Sequence, residues 1–152
     1  MIPPIVSFIG NSFNGNSFAF IYIIYTKEFN LIYIGQTNER CGTIGRLSSH
    51  LSQSGTFRNH FERITGYPLE VVKDLKILSF NLGGTKQFTS TDTTYREGVE
   101  YLVQKFLHEF SAKLPTYYRV ISFTRPNSTT SLKYIKKLAR EIASNFENIY
   151  TS

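Results

Sequence analysis

Four side chains in the first third of the chain have the types and spacing that suit work on a phosphodiester: Tyr22, Tyr33, Arg46 and His50. They lie in two strings, FIYIIYTKEFNLIYIG (Phe20–Gly35) and GRLSSHL (Gly45–Leu51). A phenol can orient a water or take its proton. A guanidinium fork matches phosphate oxygens, and a neutral imidazole exchanges a proton near neutral pH. Each has an ordinary alternative: strand tyrosines pack in cores and on surfaces, and an Arg–His pair at i, i+4 often belongs to a solvated helix face.

The elements that must position these groups are readable in outline. Phe20–Thr26 is apolar on both faces, as a covered central strand is, and Leu31–Gly35 reads as a second strand. Lys27–Asn30 between them makes a four-residue hairpin loop, which pairs Thr26 with Leu31 and sets Tyr33 opposite Ile24. Side chains alternate faces, so with this loop Tyr22 and Tyr33 become diagonal neighbours on one face while Tyr25 points the other way; an odd-length loop would instead put Tyr25 beside Tyr33. Thr43–Ser54 reads as a helix with Ile44, Leu47 and Leu51 on one stripe and Arg46 and His50 displaced from it.

Phe57–Thr65 follows as a second short helix, capped by Gly66. Leu69–Phe80 reads as a long strand, Asn81–Thr94 as a loop, and Thr94–Phe110 as an amphipathic helix carrying Val99, Val103, Phe106 and Phe110. Pro115 stops that helix. Tyr118–Phe123 suits another strand, Arg125-Pro126-Asn127 a turn, and Ser131 the cap of a last helix with Ile135, Leu138, Ile142 and Phe146 inward. At the start, Ile5–Ile9 suits a short edge strand and Asn11–Phe18 a loop. The expected class is α+β: a small mixed, mainly antiparallel sheet flanked by helices. The expected organisation is an N-terminal arm (1–18), a core (19–123) and a basic amphipathic C-terminal helix packed on it (124–152).

Length and composition narrow the partners. The chain has 152 residues, 41% hydrophobic, which fits one domain with a core of its own. Its net charge of +6 favours polyanions, nucleic acid before an anionic membrane. With Cys41 as the single cysteine, an internal disulfide is excluded. The N-terminal MIPPIVSFIG lacks a basic n-region, and no apolar run approaches the roughly 20 residues of a membrane span. The expected setting is cytoplasmic, with no membrane partner.

Tyr22, then Tyr33-Ile34-Gly35, then Arg46 and His50 resemble the signature of the GIY-YIG nucleases. The spacing is similar to that in the N-terminal nuclease domain of bacterial excision-repair endonucleases, well over residues 20–54 and loosely over 55–118. Phe20 stands where the family usually has Gly; the second motif, followed by Gln36-Thr37, is intact. The resemblance implies a GIY-YIG-like fold and a metal-dependent DNA endonuclease leaving 5′-phosphate and 3′-hydroxyl ends. Its small format suits a restriction, phage or mobile-element enzyme. It also implies one divalent metal on an acidic residue of the helix at 94–110. Glu97 and Glu100 are both candidates, and Glu100 is preferred because it borders the apolar stripe. Mg²⁺ suits a site with a single carboxylate, and Mn²⁺ can substitute. Family members often carry an Asn beyond a Pro after this helix; here Pro115-Thr116-Tyr117-Tyr118 has Tyr in that place. In the implied catalytic set, Tyr22 takes the water's proton with help from Tyr33 or His50, Arg46 neutralises phosphate charge, and Glu100 holds the metal.

Lys133, Lys136, Lys137 and Arg140 form a basic strip on the last helix, and Arg58 and Arg63 sit on the second short helix; all six are candidate DNA contacts. Double-stranded DNA is the expected partner, and a homodimer is one way for a one-site chain to cut both strands. His50, His60, His108 and Cys41 do not fall at zinc-ligand spacing, and Gly83-Gly84-Thr85-Lys86 lacks the order of a phosphate loop. The alternative expectation is a non-catalytic nucleic-acid-binding module that keeps the nuclease fold.

Overall fold

The computed structural model describes residues 2–15, 17–114 and 118–152. Strands β1 (Ala19–Thr26) and β2 (Leu31–Thr37) form the expected hairpin, joined by a turn in which Asn30 adopts a left-handed φ of 51°; Asn tolerates that conformation well. Helices α1 (Gly42–Leu51) and α2 (Thr56–Thr65) follow, and Gly66 caps α2 with φ of 75°. Next come β3 (Lys76–Gly83), the single-turn α3 (Lys86–Thr89), the long α4 (Thr94–Ser111), the two-residue β4 (Arg119–Val120) and α5 (Lys133–Thr151). The sheet order is β3-β1-β2-β4, with β1 antiparallel to both neighbours and β4 parallel to β2. This is the expected α+β architecture, a mixed and mainly antiparallel sheet with helices on both faces.

All eight β1 residues are buried, because each face of the central strand meets its own core. Ile21, Ile23 and Tyr25 pack with Ile32, Ile34, α4 and α5. Tyr22 and Ile24 pack on the opposite face with Phe57 and Phe61 of α2 and Leu69. The buried face of α5 (Ile135, Ala139, Ile142, Ala143, Phe146 and Tyr150) belongs to the first of these cores, so the C-terminal helix is part of the sheet's packing.

Several local expectations are corrected. Ile5–Ile9 forms no strand and its apolar side chains are exposed; Pro3 and Pro4 bring no N–H to a ladder, and the arm is held further on, where Ile44 N–H donates to Ser12 O (3.3 Å) and Gly15 N–H to Arg40 O (3.0 Å). The long strand expected over Leu69–Phe80 is a 3₁₀ turn (Leu69–Val71) followed by β3. Asp74 interrupts it, accepting the Thr26 hydroxyl and the Lys27 and Glu28 amides (2.9 and 3.0 Å) and so bracing the β1–β2 turn. Ser131 does not cap α5: it lies in a 3₁₀ turn (Ser128–Ser131) capped by Asn127, whose side chain accepts Thr129 N–H at 2.9 Å. The expected stop at Pro115 lies outside the described residues.

The strand expected over Tyr118–Phe123 shrinks to Arg119–Val120. Beyond it, side chains continue the β2 ladder. Ile34 N–H donates to Ser122 Oγ (2.8 Å), and Gln104 of α4 reaches Ile34 O (3.4 Å). At the end of β2, the buried Arg96 donates to Gln36 Oε1 (2.7 Å), Phe88 O (2.6 Å) and Ser90 O (2.7 Å), tying the loop around α3 to the sheet. Among the described residues, no helix is long and apolar enough to cross a membrane.

Candidate active site

The hairpin register is the one the loop length dictates: Ile24 faces Tyr33 and Tyr22 faces Gly35. The two phenols are therefore diagonal neighbours on the face that α1 and α2 cover. Gly35 is a glycine for a packing reason. A Cβ there would overlap the hydroxyl end of the Tyr22 ring, so the third residue of the Tyr-Ile-Gly string makes room for the first tyrosine.

His50 meets that phenol from α1, with its Nε2 2.7 Å from Tyr22 Oη. The other ring nitrogen is already committed, since Nδ1 accepts the Phe57 backbone N–H at 3.2 Å. Burial, with the Arg46 and His60 charges behind it, holds the imidazole down to about 4, so it is neutral at pH 7. A neutral imidazole has one proton. With Nδ1 accepting, that proton sits on Nε2 and is donated to Tyr22. The expectation of His50 as a proton acceptor meets two engaged nitrogens: Nδ1 accepts from Phe57 N–H and Nε2 faces the Tyr22 hydroxyl.

Burial pushes the Tyr22 hydroxyl above the ordinary phenol range, while the Arg46 guanidinium pulls it back in part. Tyr33 is half-buried beside it, its ring 5.0 Å from His50 and 6.1 Å from His60 in edge-to-face contacts. Burial again raises its hydroxyl, the nearby Glu100 carboxylate adds to the rise, and Arg46 opposes it. Arg46 is half-buried one turn before His50 and acts electrostatically on Tyr22, Tyr33, His50 and Glu100 alike, so it is the positive centre of the cluster.

Glu100 arrives from the other layer. Helix α4 packs on the far face of the sheet, but β4 covers only Leu31 and Ile32 of the β2 edge. Past that point Glu100 can act around the edge on both tyrosines. Burial raises its carboxyl to about 7; the Thr124 hydroxyl pulls the other way, Glu97 adds to the rise and Arg46 opposes it. Gln104, one turn along, touches Glu100 Oε1 (3.4 Å), Ser122 Oγ (3.3 Å) and Thr124 Oγ1 (3.3 Å). Glu97 is engaged elsewhere, accepting the Thr93 hydroxyl at 2.9 Å at the start of α4. Among the described residues, no group of three or more His, Cys, Asp or Glu gathers as a metal cage. A desolvated carboxylate with weak donors around it nonetheless matches a small hard cation that keeps most of its ligands as water or substrate oxygens.

The remaining candidates are dispersed. Arg58 is not a free DNA contact: it is buried, donates to Leu51 O (2.9 Å) and Ser52 O (3.1 Å), and pairs with Glu62 (3.3 Å) and Glu70 (2.7 Å). Arg63 is exposed on α2. Lys133, Lys136, Lys137 and Arg140 line an open depression on the exposed face of α5, across the sheet from Tyr22. Tyr118, placed by sequence at the position of the family Asn, is buried in the opposite core and donates to Leu107 O at 3.0 Å; its preceding residues 115–117 lie outside the described ones. The groups beside Glu100 are Gln104, Ser122 and Thr124. The i, i+4 relation of Glu100 and Gln104 was the one signal in the sequence that pointed to any of them.

No protein-family model matches the chain, and neither a curated protein nor a solved structure is significantly similar to it.

Proposed function

We propose that this chain is a metal-dependent endonuclease that hydrolyses phosphodiester bonds in DNA, of the GIY-YIG type that its motifs resemble. The observation that carries the reading is the convergence at one point of Tyr22, Tyr33, Arg46, His50 and Glu100 from β1, β2, α1 and α4, with His50 Nε2 2.7 Å from Tyr22 Oη. In this reading Tyr22 orients the attacking water and takes its proton. The phenolate that can accept this proton is stabilised beforehand by the Nε2–H of His50 and the Arg46 guanidinium, which together offset the burial that otherwise keeps the phenol protonated, and taking the proton returns Tyr22 to the phenol. Arg46 also neutralises charge building on the non-bridging oxygens, and Tyr33 confines the water on its other side. Glu100 would hold the metal, Mg²⁺ by preference with Mn²⁺ as substitute, and the ion would supply Lewis-acid stabilisation of the phosphate and leaving oxygen.

The substrate in this reading is double-stranded DNA, and the setting a cytoplasmic restriction, phage or mobile-element enzyme that cuts both strands by pairing with a second copy or by acting twice. The second reading, a binding module without catalysis, is favoured by one observation, the upward push on the Tyr22 hydroxyl. Supercoiled plasmid with Mg²⁺ or with EDTA separates the two. The wild type cleaves only with Mg²⁺, and Arg46→Ala cuts at least about a hundredfold more slowly while still shifting the plasmid on a gel. Cleavage by Arg46→Ala at the wild-type rate refutes the catalytic assignment, and a plasmid that shifts but stays intact with wild type refutes the enzyme.

A further inference from the structure

Among the described residues, Phe123 is a large apolar residue that the fold sets out in solvent next to groups of the candidate site. It is 83% exposed, in a backbone held on every side. Ile121 N–H donates to Ile32 O (2.9 Å) and Ile121 O accepts His60 Nδ1–H (3.1 Å). Ser122 accepts Ile34 N–H, and Ser122 and Thr124 both contact Gln104 beside Glu100. The segment from Ile121 to Thr124 therefore runs alongside the site, from the His60 that touches Tyr33 to the Thr124 hydroxyl, which shares the Gln104 amide with Glu100. Its extended backbone turns Ser122 and Thr124 inward and Phe123 outward, with the exposed Arg125 two residues on, directed outward as well.

An isolated surface phenylalanine usually needs no explanation. This one differs in that its carrier is fixed at both ends by groups of the site, so the ring is presented at a set place rather than left on a mobile loop. We propose that Phe123 is a stacking platform for a nucleobase next to the phosphodiester in the Tyr22–Arg46–Glu100 site, with Arg125 on the adjoining phosphate. This rests on the nuclease reading for the position of the strand. Bases offer an aromatic face whatever their identity, so the residue favours an unstacked base, as in a single strand or a locally opened duplex, and gives little sequence preference. A stable protein partner would need a wider apolar patch than one ring among Ser, Thr and Arg neighbours provides.

The test is binding in EDTA, where cleavage plays no part, by fluorescence anisotropy with a 20-nucleotide oligo(dT) strand and an abasic strand of the same length. Phe123→Ala weakens oligo(dT) binding about tenfold or more and leaves the abasic strand unchanged; Phe123→Tyr restores oligo(dT) binding and Phe123→Leu does not. Equal losses on both strands, or no loss on either, overturn the stacking role. A concentration-dependent mass in sedimentation that Phe123→Ala abolishes, with oligo(dT) affinity intact, also overturns it and assigns the ring to an interface between protein chains. Cleavage of plasmid in Mg²⁺ by the same wild-type sample is read separately. A stacking signal without cleavage removes the enzyme and keeps the platform; cleavage without a stacking signal does the reverse.

Discussion

Two buried titratable groups in the site are shifted in opposite directions, and their effects on stability should nearly cancel until one is removed. His50 falls from 6.5 to about 4, chiefly through burial, and Glu100 rises from 4.5 to about 7 for the same reason. At about 1.4 kcal/mol per tenfold change in proton affinity, each amounts to about 3 kcal/mol. For His50, the unfolded chain takes up a proton below about pH 6.5 and the folded one only below about 4, so stability is lost as pH falls through that range. For Glu100, the unfolded chain gives up its proton above about pH 4.5 and the folded one only above about 7, so stability is lost as pH rises. Between pH 7 and 4.5 the two slopes oppose. Relative to the wild type, His50→Gln should therefore gain about 3 kcal/mol on acidification, and Glu100→Gln should lose about as much. Asp74, held below its usual 3.8 because the Thr26 hydroxyl and two backbone amides outweigh its burial, titrates beneath this window. Urea unfolding followed by circular dichroism at pH 7, 5.5 and 4.5, without divalent cations, reads all three slopes. Two variants that follow the wild-type slope within about 0.5 kcal/mol would refute the assignment of both burial effects and the His50 tautomer built on the first.

Gly35→Ala places a methyl where the Tyr22 phenol lies. It should cost about 1–3 kcal/mol in thermal melts through overpacking and slow plasmid cleavage by at least about a hundredfold; a variant that melts lower but cleaves normally would mean that Tyr22 is not placed by this contact. Arg58→Ala should destabilise by about 1–2 kcal/mol, because its partners are two backbone carbonyls and two partly exposed carboxylates. It should leave DNA affinity within about twofold under conditions where both proteins are folded; a large affinity loss there would restore it to the DNA surface.

The part of this site that was legible in the sequence is the part made by near neighbours. The four-residue loop fixed the register of β1 on β2, and with it the diagonal of Tyr22 and Tyr33. The i, i+4 spacing put Arg46 and His50 on one side of α1, where both act on Tyr22. What was illegible depends on segments far apart in the chain. Arg58 has the sequence context of a surface cation, and only the approach of the end of α1 and the turn at Leu69–Val71 makes it a buried clamp. Tyr118 sits where spacing after α4 would put a site residue, yet its face of the backbone belongs to the core of α5, where its ring packs edge-to-face against Phe146 and Tyr150 at 5.7 and 4.9 Å.

The same long-range geometry explains how a carboxylate from one layer comes within electrostatic reach of tyrosines on the other. A full-length parallel β4 would have covered the β2 edge with backbone and closed the route from α4. By stopping after Val120, the chain hands the next ladder positions to side chains: Ser122 takes Ile34 N–H and Gln104 takes Ile34 O. The edge stays satisfied, as a buried edge must, and Glu100 gains its path to the site. Ser122→Ala separates these two functions. It should leave the Ile34 amide without a partner at a cost of about 1–3 kcal/mol and loosen the segment that carries Thr124, lowering the melting temperature and Mg²⁺-supported cleavage together. Unchanged values for both would mean that the β2 edge does not need the hydroxyl, and that the route for Glu100 is open for some other reason.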